Sequence, residues 1–110
     1  MAKTHFSHPG GILKRQFLAE YDLSVNAAAK AMQIPRTRLN DIVLGKRGIS
    51  PETALRLGRL FGNGAAFWLN LQSHYDLAEA ELKAKATKTL YKIHPLIFHV
   101  PTVEPNARQA

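Results

Sequence analysis

Within five residues the chain sets Arg36, Thr37, Arg38 and Asn40, and a second basic pair, Lys46 and Arg47, follows shortly after. Each of these side chains has a defined way of meeting a nucleic acid. An arginine at 36 or 38 can make a forked bond to guanine O6 and N7, the Asn40 amide can do the same with adenine N6 and N7, and Thr37 can bond a base or a phosphate. A well-made forked contact discriminates between bases by about 1 to 3 kcal/mol. Lys46 and Arg47, flanked by Gly45 and Gly48, suit phosphates, which fix register and give salt-dependent affinity without reading sequence. The competing interpretation is that basic residues on a small helix form only a solvated face. The elements that carry them decide between the two.

Those elements read as helices. His8-Pro9-Gly10-Gly11 is turn-rich, and Ile12, Leu13, Phe17, Leu18 and Tyr21 then recur at helical spacing, which predicts a first helix ending near Asp22. Ser24 is a helix cap, and the alanine-rich segment Val25 to Met32 predicts a compact second helix. Gln33-Ile34 leaves a very short link before Pro35, which suits the start of a third helix with Leu39 and Ile42 facing inward. On that geometry Arg36, Thr37, Arg38, Asn40, Asp41 and Leu44 stay outside. Gly45 suits a left-handed helix end, and Lys46-Arg47-Gly48 reads as an exposed basic loop.

Ser50-Pro51-Glu52 repeats the start signal for a fourth helix with Leu55, Leu57, Leu60 and Phe61 as its apolar residues. Asn63 or Gly64 opens a fifth, reaching about Thr87, with a stripe of Phe67, Leu71, Tyr75, Ala78 and Leu82 and with Trp68 and Leu69 beside it. Pro95, Pro101 and Pro105 interrupt any further helix. Two short helices joined by a tight turn form a unit that can lay the second helix in a DNA major groove, about 12 Å wide.

Composition narrows the alternatives. At 110 residues, 45% hydrophobic and 21% charged, the chain has material for one core. The net charge of +7 implies a polyanionic partner, and residues 1 to 50 carry eight Lys and Arg against three acids, whereas 51 to 86 carry four of each. There is no cysteine, which removes disulfides, thiol catalysis and Cys-ligated zinc. No Ser-His-Asp order, HExxH motif, paired catalytic carboxylates or phosphate-binding glycine loop is present, so an enzyme is the least expected class. His5 and His8 alone are weak metal ligands, and neither a metal nor another cofactor is expected. With no signal segment and no apolar run of spanning length, the expected location is the cytoplasm, away from membranes.

The stretch from Leu23 to Met32, with Ile34-Pro35-Arg36-Thr37-Arg38-Leu39-Asn40-Asp41-Ile42-Val43, resembles the helix-turn-helix of HigA-family antitoxins. His8-Pro9-Gly10, the run Gly45 to Ser50, Thr53 to Leu57, and Phe67 to Gln72 with Tyr75-Asp76-Leu77 are similar to that family too. The resemblance covers about residues 8 to 82 in one order and implies a dimeric Xre-type repressor of its own operon. It further implies a HigB toxin partner, a small RelE-like ribonuclease that cuts messenger RNA on the ribosome. Two positions depart from the family pattern. Gln33 stands where a glycine is usual, so a left-handed backbone there would carry strain. Val25 stands where a glutamine commonly contacts a phosphate, which lowers the expected operator affinity.

The expected protein is an all-α, five-helix, lambda-repressor-like domain over 1-89 with a mostly irregular tail over 90-110. It is expected to be a homodimer binding double-stranded operator DNA through Arg36, Thr37, Arg38, Asn40, Lys46 and Arg47, with a HigB-like toxin as second partner. The far part of the fifth helix, around 78-86, is the expected dimer contact, which would set the recognition helices roughly 34 Å apart. Leu96-Ile97-Phe98 is a candidate toxin contact by strand addition. A solitary Xre-like regulator and a purely protein-binding antitoxin are the alternatives.

Overall fold

The computed structural model describes residues 8–96. Among them are five helices and no strand. Helix α1 begins at Pro9–Ile12 and continues without a break as a π-helical stretch, Leu13–Leu18. It is followed by α2 (Val25–Met32), α3 (Arg36–Val43), α4 (Pro51–Phe61) and α5 (Ala65–Thr87), with a short 3-10 turn at Leu90–Lys92.

The helix starts follow from the caps. Ser24 Oγ accepts the Ala27 N–H at 3.0 Å, and Ser50 Oγ accepts the Thr53 N–H at 3.2 Å. The expected bounds of α2 and the expected start of α4 are therefore found, with Pro35 as the cap of α3 and Gly45 left-handed at φ 79°. Gln33 is left-handed too, at φ 59° and ψ 45°.

The first helix differs from a plain amphipathic α-helix. The Ala19 N–H reaches back to the Lys14 carbonyl at 3.1 Å, whereas the Leu23 N–H bonds that of Leu18 at 2.8 Å because left-handed Asp22, at φ 54°, closes the end of the helix. Hydrogen bonding five residues apart stacks Leu13 and Leu18 on one face, and both are buried. Gly10 lets this helix lie directly on α3: a Cβ at residue 10 would sit 1.7 Å from the Ile42 carbonyl oxygen.

The core joins Leu13, Leu18, Ala28, Ala29, Met32, Leu39, Ile42, Ile49, Ala54, Leu57 and Trp68. Trp68 is its largest member and is fully enclosed, with ring centroids of Phe17 at 4.8 Å, Phe67 at 5.1 Å and Phe61 at 6.1 Å. Its indole N–H donates to Asn63 Oδ1 at 3.0 Å. Of the expected stripe of α5, Ala78 is buried and Leu71 and Tyr75 are half-buried, whereas Phe67 is 38% and Leu82 44% exposed, and Trp68, expected beside the stripe, is the residue enclosed. Leu55 is also outside, because Thr53, Ala54, Leu57 and Gly58 form the buried face of α4.

At 23 residues, α5 is about 34 Å long. It outreaches the core, and beyond Ala78 its residues are half-buried or exposed. Leu96 is exposed, whereas Ile97 and Phe98 of the apolar island, and His5 and His99, lie outside the described residues.

Candidate nucleic-acid interface

The turn between α2 and α3 is the part of the fold that aims α3. Three residues separate the two helices, and the Ile34 N–H bonds the Ala29 carbonyl at 3.0 Å while Ile34 itself is buried. With Leu39 and Ile42 fully buried beneath α3, the 100° rotation per residue fixes what stays outside. Thr37 lies on the crest opposite those anchors, Asn40 is one turn further along, and Arg36 and Arg38 fall on opposite flanks. Arg36 and Thr37 are exposed; Arg38 and Asn40 are half-buried.

The six candidate residues are not equivalent. Among the described residues no side-chain hydrogen bond or ion pair engages Arg36, Thr37, Lys46 or Arg47. Arg38 is engaged: its Nη1 lies 3.3 Å from Glu52 Oε1 on α4. Glu52 also receives Arg56, whose Nε and Nη2 are both 2.8 Å from Oε2. The same Arg56 donates through Nη1 to the Met32 carbonyl at 2.8 Å and lies 3.5 Å from that of Gln33. These two arginines hold the Glu52 carboxyl below the usual carboxylate range, Arg56 contributing most. Neither Glu52 nor Arg56 was singled out from the sequence as a site residue, although their four-residue spacing on a helix marks an ion pair.

The basic loop is braced from behind. Gln72 Oε1 on α5 accepts the Ile49 N–H at 2.7 Å, and its Nε2 donates to Asp76 Oδ1 at 2.9 Å. Gly48 leaves room for that amide, since a Cβ there would lie 3.0 Å from Gln72 Nε2. A shallow groove of about 380 Å³ between this loop and α5 is bordered by His8 and Tyr75, whose rings meet edge-on at 4.9 Å. His8 Nδ1 accepts the Gly10 N–H at 2.9 Å and so caps α1. Burial lowers the His8 pKa, against a smaller opposing pull from Asp76. Lys46 and Arg47 themselves project as exposed residues. Among the described residues no group of three or more His, Asp or Glu gathers as a metal site, and no helix is long and apolar enough to cross a membrane.

A short helix, a three-residue turn and a second helix with a polar crest, packed inside a five-helix bundle, define an Xre-type helix-turn-helix protein. The helix-turn-helix family model matches residues 13–68, half of the chain. Virulence-associated protein I of Dichelobacter nodosus is 50% identical over 74 residues, covering 67% of this chain and 68% of the relative. Among solved structures, Pseudomonas aeruginosa antitoxin HigA with the higBA promoter is 45% identical, with a TM-score of 0.78, covering 83% of this chain and 98% of that one. A Pseudomonas aeruginosa protein in complex with 18-base-pair operator DNA is 43% identical, with a TM-score of 0.80, covering 86% and 99%. The chain belongs to the helix-turn-helix family, in the company of the HigA and virulence-associated proteins.

Proposed function

We propose that this chain is a dimeric antitoxin that represses its own operon and neutralises a HigB-like, ribosome-dependent messenger-RNA endonuclease. The observation that carries the DNA half is the exposed crest of α3. Thr37 stands exposed there with Arg36 exposed on its flank, Asn40 a turn further and the basic loop Lys46-Arg47 following, on a fold shared with proteins solved on operator or promoter DNA. In this reading Arg36, Arg38 and Asn40 read bases, Thr37 reads a base or a phosphate, and Lys46 and Arg47 hold phosphates.

Residues 1-89 act as the binding and dimerisation unit, and 90-110 as a tail. The dimer contact is the far part of α5, around 78-86, where Leu82 is 44% exposed. Neutralisation of the toxin is supported by the HigA kinship.

The test pairs growth with a reporter. The product of the adjacent gene is induced with and without this chain, in cells carrying a reporter behind the operon's own promoter. Growth arrest relieved by this chain, together with a silenced reporter, is the expected result. Silencing without relief favours a solitary regulator, relief without silencing favours a purely protein-binding antitoxin, and neither effect rejects the proposal.

A further inference from the structure

Glu52 is an acid placed where the DNA-reading face would be expected to avoid one. It is the second residue of α4, it follows the basic loop, and it touches the flank of α3. A solitary carboxylate there would repel phosphates. This one is shared between two arginines that play different parts.

Arg56 is fixed. Besides its two contacts to Glu52 Oε2 it donates to the Met32 carbonyl, so the carboxylate is anchored to the turn that aims α3. Arg38 has no such second tie among the described residues; Glu52 Oε1 engages its Nη1 at 3.3 Å and nothing holds its other donors. A guanidinium has five N–H donors in a rigid fork. Engagement of Nη1 leaves the Nε–Nη2 edge available for a guanine and restrains where that edge lies.

We propose that Glu52 is a specificity-determining residue acting through Arg38: anchored by Arg56, it orients the Arg38 guanidinium for one base pair and withholds it from phosphates elsewhere. The inference rests on the reading of α3 as the DNA-reading helix. Its consequence is an opposition that a purely structural ion pair does not produce. Without the carboxylate, Arg38 is free to meet any phosphate and a local repulsion is lost, so affinity for random DNA rises. Affinity for the operator falls, because Arg38 must then be ordered at the moment of binding.

The experiment is fluorescence anisotropy of wild type, Glu52→Gln, Arg38→Ala and the double variant on the promoter duplex, its single-base-pair variants and a scrambled duplex. Circular dichroism first establishes that each variant folds. An exposed pair is weak, worth at most about fivefold. Glu52→Gln is therefore expected to reduce promoter preference about three- to fivefold, with scrambled-duplex binding tightened and the loss concentrated at the base pair to which Arg38→Ala is sensitive. In the Arg38→Ala background the Glu52 substitution is expected to leave discrimination at that base pair unchanged.

Equal weakening on promoter and scrambled DNA, or a loss of discrimination at that base pair that persists in the Arg38→Ala background, overturns the inference. So does Arg38→Ala relaxing one base pair while Glu52→Gln relaxes none. Wild type without promoter preference overturns the underlying reading of α3 instead.

Discussion

Replacing Gln33 with glycine is expected to stabilise the protein. Gln33 occupies the left-handed region at φ 59° and ψ 45°, where an L-residue with a Cβ loses about 1 to 2 kcal/mol. Glycine avoids that cost but forfeits about 0.5 to 1 kcal/mol through the greater freedom of the unfolded chain. The midpoints leave a net gain of about 0.75 kcal/mol, which for a domain of this size raises Tm by about 3 to 6 °C. Nothing else need change, because the side chain is exposed and the groups that Arg56 approaches at this turn are the backbone carbonyls of Met32 and Gln33, which glycine retains. Thermal unfolding followed by far-ultraviolet circular dichroism and Trp68 fluorescence measures the shift. Gln33→Ala, which keeps the Cβ, serves as the control and is expected to stay within about 0.5 kcal/mol of wild type. A Gln33→Gly Tm at or below wild type would refute the strain argument.

Gly10→Ala drives a Cβ to within 1.7 Å of the Ile42 carbonyl; α1 and α3 must separate, and urea unfolding is expected to record a loss of about 3 kcal/mol or more. Trp68→Ala empties the fully buried centre of the aromatic cluster and is expected to lose about 3 to 5 kcal/mol in the same assay. Stability should also fall as pH drops below the ordinary histidine value of 6.5, because burial lowers the His8 pKa and its Nδ1 must stay unprotonated to cap α1. The unfolded chain then binds the proton first. The loss begins near 6.5 and is complete once pH has passed below the depressed folded value, and a His8→Ala variant should lack this component of the pH–Tm profile. Lys46→Ala is expected to weaken all DNA sequences alike and to reduce the slope of log K against log salt by about 0.9.

How much of this was legible depended on how local each determinant is. The caps at Ser24 and Ser50, the proline before α3 and the left-handed Gly45 act over three or four residues, so the helix starts could be read directly. Leu39 and Ile42 were legible as anchors for the same reason, and with them the outward set on α3. The π-helical stretch was not, because Leu13, Phe17 and Leu18 fit ordinary helical spacing and only the bond from Ala19 to Lys14 reveals the wider turn. The stripe of α5 was legible at Leu71, Tyr75 and Ala78 but not at its start, where Trp68 rather than Phe67 is enclosed. Its apolar side chains surround the helix, and what turns Trp68 inward is the packing of Phe17 and Phe61 from α1 and α4. The partner of Arg38 lies 14 residues away and the brace on Ile49 lies 23 away; such pairings are set by how helices cross, which periodicity does not encode.

In the proposed mode of binding α3 reads a particular sequence while the basic loop holds the backbone. The most direct measurement is a fluorescence-anisotropy titration of the protein against its own promoter and a scrambled duplex at two salt concentrations, for wild type and Arg36→Ala. Wild type is expected to prefer the promoter at both salt concentrations, with binding to both duplexes weakening as salt rises, and Arg36→Ala to lose much of the preference while keeping most of its affinity for scrambled DNA. Equal affinity of wild type for the two duplexes, or equal losses on both in the variant, would contradict that mode of binding.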